Sequence, residues 1–78
     1  MSNYGFTMRV SDIDVHRDDF PDSLYEAGCD DALVLVQGDE LLLDFHRDGK
    51  TFDEAVLSAS RNIERAGGRV IKVEPLPE

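Results

Sequence analysis

Seventy-eight residues suffice for one domain, and the 41% hydrophobic content is enough for a single core and too much for a disordered chain. Seventeen acidic side chains against eight basic ones give a net charge of −9, which argues against direct binding to DNA, RNA or an anionic membrane surface, since each needs Lys and Arg facing phosphate. A lone cysteine, Cys29, rules out an internal disulfide, and Met1–Gly5 has no basic segment leading into an apolar stretch, so the reading is of a soluble protein in the reducing cytoplasm.

Taken in chain order, Tyr4, Phe6, Met8 and Val10 alternate with Gly5, Thr7 and Arg9, the period of a half-buried strand. A polar loop from Ser11 to Asp19 follows. Pro21 suits a first helical turn, and Phe20, Leu24 and Ala27 fall on one helical face, with Gly28 as the stop. Ala32 to Val36 is a second strand. Gln37-Gly38-Asp39-Glu40 predicts a hairpin turn, in which glycine is free to take positive φ. Leu41, Leu43 and Phe45 then share one face of a third strand, and Arg47 to Lys50 reads as a loop. Thr51 and Glu54 have the spacing of a capping box, ahead of a helical stripe of Phe52, Ala55, Val56, Ala59, Ile63 and Ala66. Gly67-Gly68 ends that helix, and Arg69 to Glu74 is a fourth strand.

The order β-α-β-β-α-β predicts an α+β, ferredoxin-like domain over residues 1–74, with a short Pro-rich tail at 75–78. Right-handed crossovers would place both helices on one face of a four-stranded antiparallel sheet, in spatial order 4-1-3-2. The second strand would lie at an edge. Thr7, Arg9, Leu42, Asp44 and His46 would occupy the uncovered face.

No catalytic or cofactor constellation stands out. His16, His46 and Cys29 lack metal-ligand spacing, and Cys29 has no motif supplying a base or an oxyanion site. Val36-Gln37-Gly38 is similar to part of the acylphosphatase phosphate loop, but Asp39-Glu40 follow where a basic residue should stand, and that activity is rejected. The reading is a non-enzyme without cofactor or metal.

The acids are the unexplained feature. Residues 1–54 hold fourteen acids and four bases, and eight of those acids fall between Asp12 and Asp31, opposed only by Arg17. Such crowding costs stability and gives the fold nothing obvious in return. In an extended chain, carboxylates two residues apart lie about 6.6–6.8 Å from each other, a spacing suited to imitating successive phosphates. Asp18, Asp19, Asp22, Glu26, Asp30 and Asp31 are the candidate partner-binding residues, with Asp39 and Glu40 at the hairpin tip as a second group. A surface that merely keeps the protein soluble explains the charge about as well.

Two resemblances bear on this. Asp22 to Ala32, Leu43-Asp44-Phe45-His46-Arg47, Ala55-Val56-Leu57-Ser58-Ala59 and Val70-Ile71-Lys72-Val73-Glu74-Pro75 resemble the N-terminal domain of a group of small bacterial helix-turn-helix proteins. In that group a DNA-binding helix-turn-helix follows the final Glu-Pro, whereas this sequence stops at Glu78. That resemblance implies a regulatory or antitoxin-like interaction module, and Leu42 with the apolar side chains of the second strand suggests that it would dimerise through the open sheet face or add strands at the second-strand edge. In size, charge and overall profile the chain also looks like phage-encoded anti-CRISPR proteins, especially those acting on type I-C surveillance complexes. That likeness implies a monomeric DNA mimic in the cytoplasm of a bacterial host. Its partner would be a basic DNA-binding protein, the large surveillance-complex subunit that reads the protospacer-adjacent motif, and target DNA binding would be blocked.

Overall fold

The computed structural model describes residues 2–76 and has six elements. Strand β1 (Ser2–Ser11), helix α1 (Phe20–Glu26), strand β2 (Ala32–Gln37), strand β3 (Glu40–Gly49), helix α2 (Phe52–Arg65) and strand β4 (Arg69–Pro75) follow in that order. The strands form one antiparallel sheet in the order β2-β3-β1-β4, the ferredoxin-like arrangement, with β2 and β4 at the edges.

Alternation decides which face is covered. Phe6, Met8 and Val10 from β1 and Leu41, Leu43 and Phe45 from β3 are buried in one cluster. Leu24 of α1 and Ala55, Ala59 and Ile63 of α2 complete it, so both helices pack on the same face. Phe6 and Phe45 are direct cross-strand partners and stack at 5.4 Å between centroids. Phe52 closes edge-on over Phe6 at 5.7 Å. Small residues at Ala55 and Ala59 let α2 sit low on the sheet, while larger Ile63 fills the space further along.

Local chemistry sets the ends of the helices. The Thr51 hydroxyl accepts a hydrogen bond from the Glu54 N–H at 3.1 Å, the first half of the predicted capping box. After α2, Gly67 takes φ +93° and the Gly68 N–H returns to the Ile63 carbonyl at 2.9 Å. Gly68 is needed for a second reason. A Cβ there would lie 2.8 Å from Ile13, 2.9 Å from Ile63 and 2.9 Å from Val10. At the hairpin, Gly38 alone of the two turn residues has positive φ, the pattern of a II′ turn between paired Gln37 and Glu40.

Several boundaries differ from the sequence expectation, among them the start of β1, at Ser2 rather than Tyr4. Residues 47–49 continue β3 instead of forming a loop, because β1 begins at Ser2 and the pairs Ser2–Gly49, Asn3–Asp48 and Tyr4–Arg47 extend the ladder. Backbone pairing is indifferent to the polarity that suggested a loop. Pro75 belongs to β4 rather than to a tail, and the Leu76 N–H donates to the Gly5 carbonyl at 3.0 Å. Pro77 and Glu78 lie outside the described residues.

Candidate functional site

The acidic segment folds as a loop wrapped onto the end of the sheet, followed by α1. Ile13, Val15 and Phe20 are partly buried against the core and anchor it from beneath. Asp12 takes φ +69°, a left-handed conformation that aspartate tolerates better than most residues. The Asp14 carboxylate accepts from the His16 N–H at 2.9 Å, a local turn that mimics backbone hydrogen bonding. The segment is therefore turned rather than extended. The extended-chain spacing between successive carboxylates does not apply here.

The eight candidate acids divide by what they touch. Asp19 receives two hydrogen bonds from Arg17, at 3.1 Å and 2.9 Å. This holds its side chain away from the N-cap role its position would suggest, and no side-chain cap bond forms there. Asp39 meets the His16 imidazole at 3.0 Å, joining the loop to the hairpin tip. Glu40 lies 3.8 Å from Arg9. Asp18, Asp22, Glu26 and Asp30 are exposed and, among the described residues, have neither an ion pair nor a side-chain hydrogen bond. Arg65 lines the same shallow hollow as Glu26 without closing a pair with it.

Asp31 differs in kind from the other seven. Both its oxygens are held by Arg47, each at 2.7 Å. The same guanidinium donates to Ser58 at 3.2 Å, to Asn62 at 2.7 Å and to the Gly28 carbonyl at 2.9 Å, and it lies 5.0 Å from the centre of the Phe45 ring. These bonds fasten the α1–β2 connection to α2. Asp31 serves the fold, and its charge is largely cancelled. The hydrogen bond to Asp31 holds the Arg47 guanidinium above its ordinary pKa despite partial burial. Sequence reasoning missed Arg47, because polar neighbours on either side disguised a strand residue pointing inward.

Tyr25 is the other residue missed. It lies between Asp22 and Glu26 with 66% of its surface exposed, unusual for so large a ring. Its offset from the buried Phe20-Leu24-Ala27 stripe was the available signal. An exposed aromatic ring with one polar end is the kind of side chain that can anchor a partner.

Cys29 is buried beside this network, and loss of hydration pushes its thiol up to about 11. It therefore stays protonated near neutral pH, where a thiol is a poor nucleophile. Among the described residues no group of three His, Cys, Asp or Glu side chains gathers to hold a metal. The hollow on the open sheet face, lined by Thr7, Arg9, Leu42, Lys72 and Glu74, has a volume of about 150 Å³. No helix of the described residues is long and apolar enough to cross a membrane. Comparison of the chain with family models, curated proteins and solved structures finds no match in any of the three.

Proposed function

We propose that this protein binds a macromolecular partner through the acidic surface around α1, occupying a Lys- and Arg-lined groove that would otherwise receive nucleic acid. One observation carries the reading: Asp18, Asp22, Glu26 and Asp30 are exposed with no cationic partner among the described residues, and Tyr25, on the same short helix as Asp22 and Glu26, is exposed as well. Acids that served the fold would be paired, as Asp31 is. Unpaired carboxylates repel one another in the free protein, and a basic surface would relieve that repulsion on binding.

The resemblance to type I anti-CRISPR proteins supplies the particular partner proposed. It is the large subunit of a type I-C surveillance complex, met by a monomer that makes no direct contact with nucleic acid. Asp39 and Glu40 form the weaker, outer part of the surface, since each already faces a basic side chain.

The test is a gel shift of purified type I-C surveillance complex on its target DNA. Adding the protein is expected to abolish the shift. The triple variant Asp18→Lys, Asp22→Lys, Glu26→Lys and the single variant Tyr25→Ala should restore it, with circular dichroism unchanged. An unaltered shift with the unmodified protein would sink the surveillance-complex reading and favour the regulatory-module reading.

A further inference from the structure

The sheet has two free edges, and they are built differently. β4 carries Arg69, Lys72, Glu74 and Pro75, and its pairing with β1 is interrupted by an irregularity at Arg9/Val10. Charge, proline and bulge are the devices by which proteins prevent strands from adding to an edge. β2 has none of them. Ala32–Gln37 contains no charged residue and no proline, and its register with β3 is unbroken.

The side chains of β2 add to this. Leu33, Leu35 and Val36 are 62%, 37% and 45% exposed. Leu35 pairs with Leu42 across the sheet, so two leucines adjoin on the open face, with Asp44 beside Leu33 and Arg9 beyond Leu42. The backbone orientation is also defined. Gln37 and Glu40 close a two-residue turn, and the Asp31 carbonyl accepts from the His46 N–H at 3.3 Å. Odd-numbered positions from Asp31 to Gln37 therefore direct their polar groups at β3. Ala32, Val34 and Val36 direct theirs outward, unpaired.

We infer that β2 is a docking edge for an extended partner segment whose apolar centre is flanked by Lys or Arg at both ends. Charge selects this occupant. Asp30 stands before β2, and Asp39 and Glu40 follow it, so an uncharged edge about 20 Å long is bracketed by carboxylates. The same bracket works against a second copy of this chain. In a two-fold antiparallel pairing with Val34 opposite Val36 of the other copy, Asp30 and Asp31 face Glu40 and Asp39 at both ends. With Val34 opposite Val34 they face Gly38 and Gln37, one or two residues from Asp39. Strand addition supplies affinity through the backbone, and the flanking charges supply selectivity. This edge shares Asp30, Asp39 and Glu40 with the acidic surface around α1, and Val34→Pro, which leaves every acid in place, tests it separately.

The experiment is fluorescence anisotropy with a labelled peptide, Arg-Lys-Val-Thr-Val-Thr-Val-Lys-Arg, against its counterpart with glutamate at the four flanking positions. The basic peptide should bind and the acidic one should not. Val34→Pro removes an outward N–H without touching the bonds to β3, and should weaken binding by about tenfold or more. Leu33→Lys keeps the backbone and tests the apolar contact, with a smaller loss expected. Asp30→Asn with Asp39→Asn should bring the two peptides closer together in affinity. Failure of the basic peptide to bind would overturn the inference, as would equal binding by a Val34→Pro protein of native circular dichroism. A concentration-dependent dimer in light scattering, broken by Val34→Pro, would show that a second copy takes the edge and would overturn the choice of occupant.

Discussion

Arg47 shows how much one side chain can organise in a small domain. Its side chain is 13% exposed, against 30% for Asp31, and its guanidinium joins a carboxylate, a hydroxyl, a side-chain amide and a backbone carbonyl. Removing one partner of such a pair leaves the other charge short of both water and counterion. Arg47→Ala should cost about 2–3 kcal/mol, a little below the usual range for fully buried pairs because Asp31 still reaches solvent. For a domain of this size that is a large share of the total, so the variant should begin to unfold at much lower urea. Arg47→Lys keeps the charge but loses the planar fork, and should recover less than half of the loss. Urea titration followed by circular dichroism checks both. Equal stability of Arg47→Ala and the parent would mean that the network is incidental. Asp18, Asp22 and Glu26, by contrast, are exposed and carry no such obligation to the fold.

At the scale of the elements, the signals that start and stop a helix are local in the chain, whereas those that set the length of a strand lie in its partner. α2 announced itself through its cap, its stripe and its terminal glycines, and the structure has it at Phe52–Arg65. The cap is a single hydrogen bond from the Glu54 N–H to the Thr51 hydroxyl. Thr51→Ala should therefore cost about 1 kcal/mol, lowering the thermal midpoint by about 4–8 °C, while Thr51→Ser should stay near the parent. A thermal melt of the three proteins tests this, and an unchanged midpoint for Thr51→Ala would mean that the cap bond adds nothing. β3 was read too short because its last three residues, Arg47, Asp48 and Gly49, look like a turn in isolation. Only the partner strand reveals otherwise, since the Asn3 amide donates to the Asp48 carboxylate at 3.2 Å across the ladder. Gly28 belongs with the signals that are visible locally but explained only later. It ends α1 at φ +108°, as a helix stop should, yet a Cβ there would also lie 2.9 Å from Asn62, one of the Arg47 partners.

Across the whole molecule, charge and packing are segregated. The core is apolar, with no buried polar or charged residue among those described, and the net charge of −9 belongs to the surface. Mutual repulsion among those surface acids opposes folding, and salt screens it, the Debye length shrinking from about 10 Å at 0.1 M to about 3 Å at 1 M. The thermal midpoint should accordingly rise by a few degrees between about 0.05 M and 0.5 M sodium chloride. The Asp18→Lys, Asp22→Lys, Glu26→Lys variant should show a smaller rise. A midpoint insensitive to salt would show that the acids do not strain the free protein, removing one physical reason for expecting them to serve a partner. Composition and periodicity by themselves determined the order of elements, the buried faces of β1, β3, α1 and α2, and the excess of acid over base. Those properties depend on near neighbours in the chain, two residues apart in a strand and three or four in a helix. Only the tertiary structure decided which acids are free and which are bound, that Tyr25 stands among the free ones, and that one sheet edge is guarded while the other is bare. Asp31 and Asp30 are adjacent in sequence and alike in composition, yet one meets a guanidinium sixteen residues away and the other meets water. The pairing of Arg47 with Asp31 depends on how β3 sits beside the α1–β2 connection, a relation created by folding and carried by no short stretch of the chain.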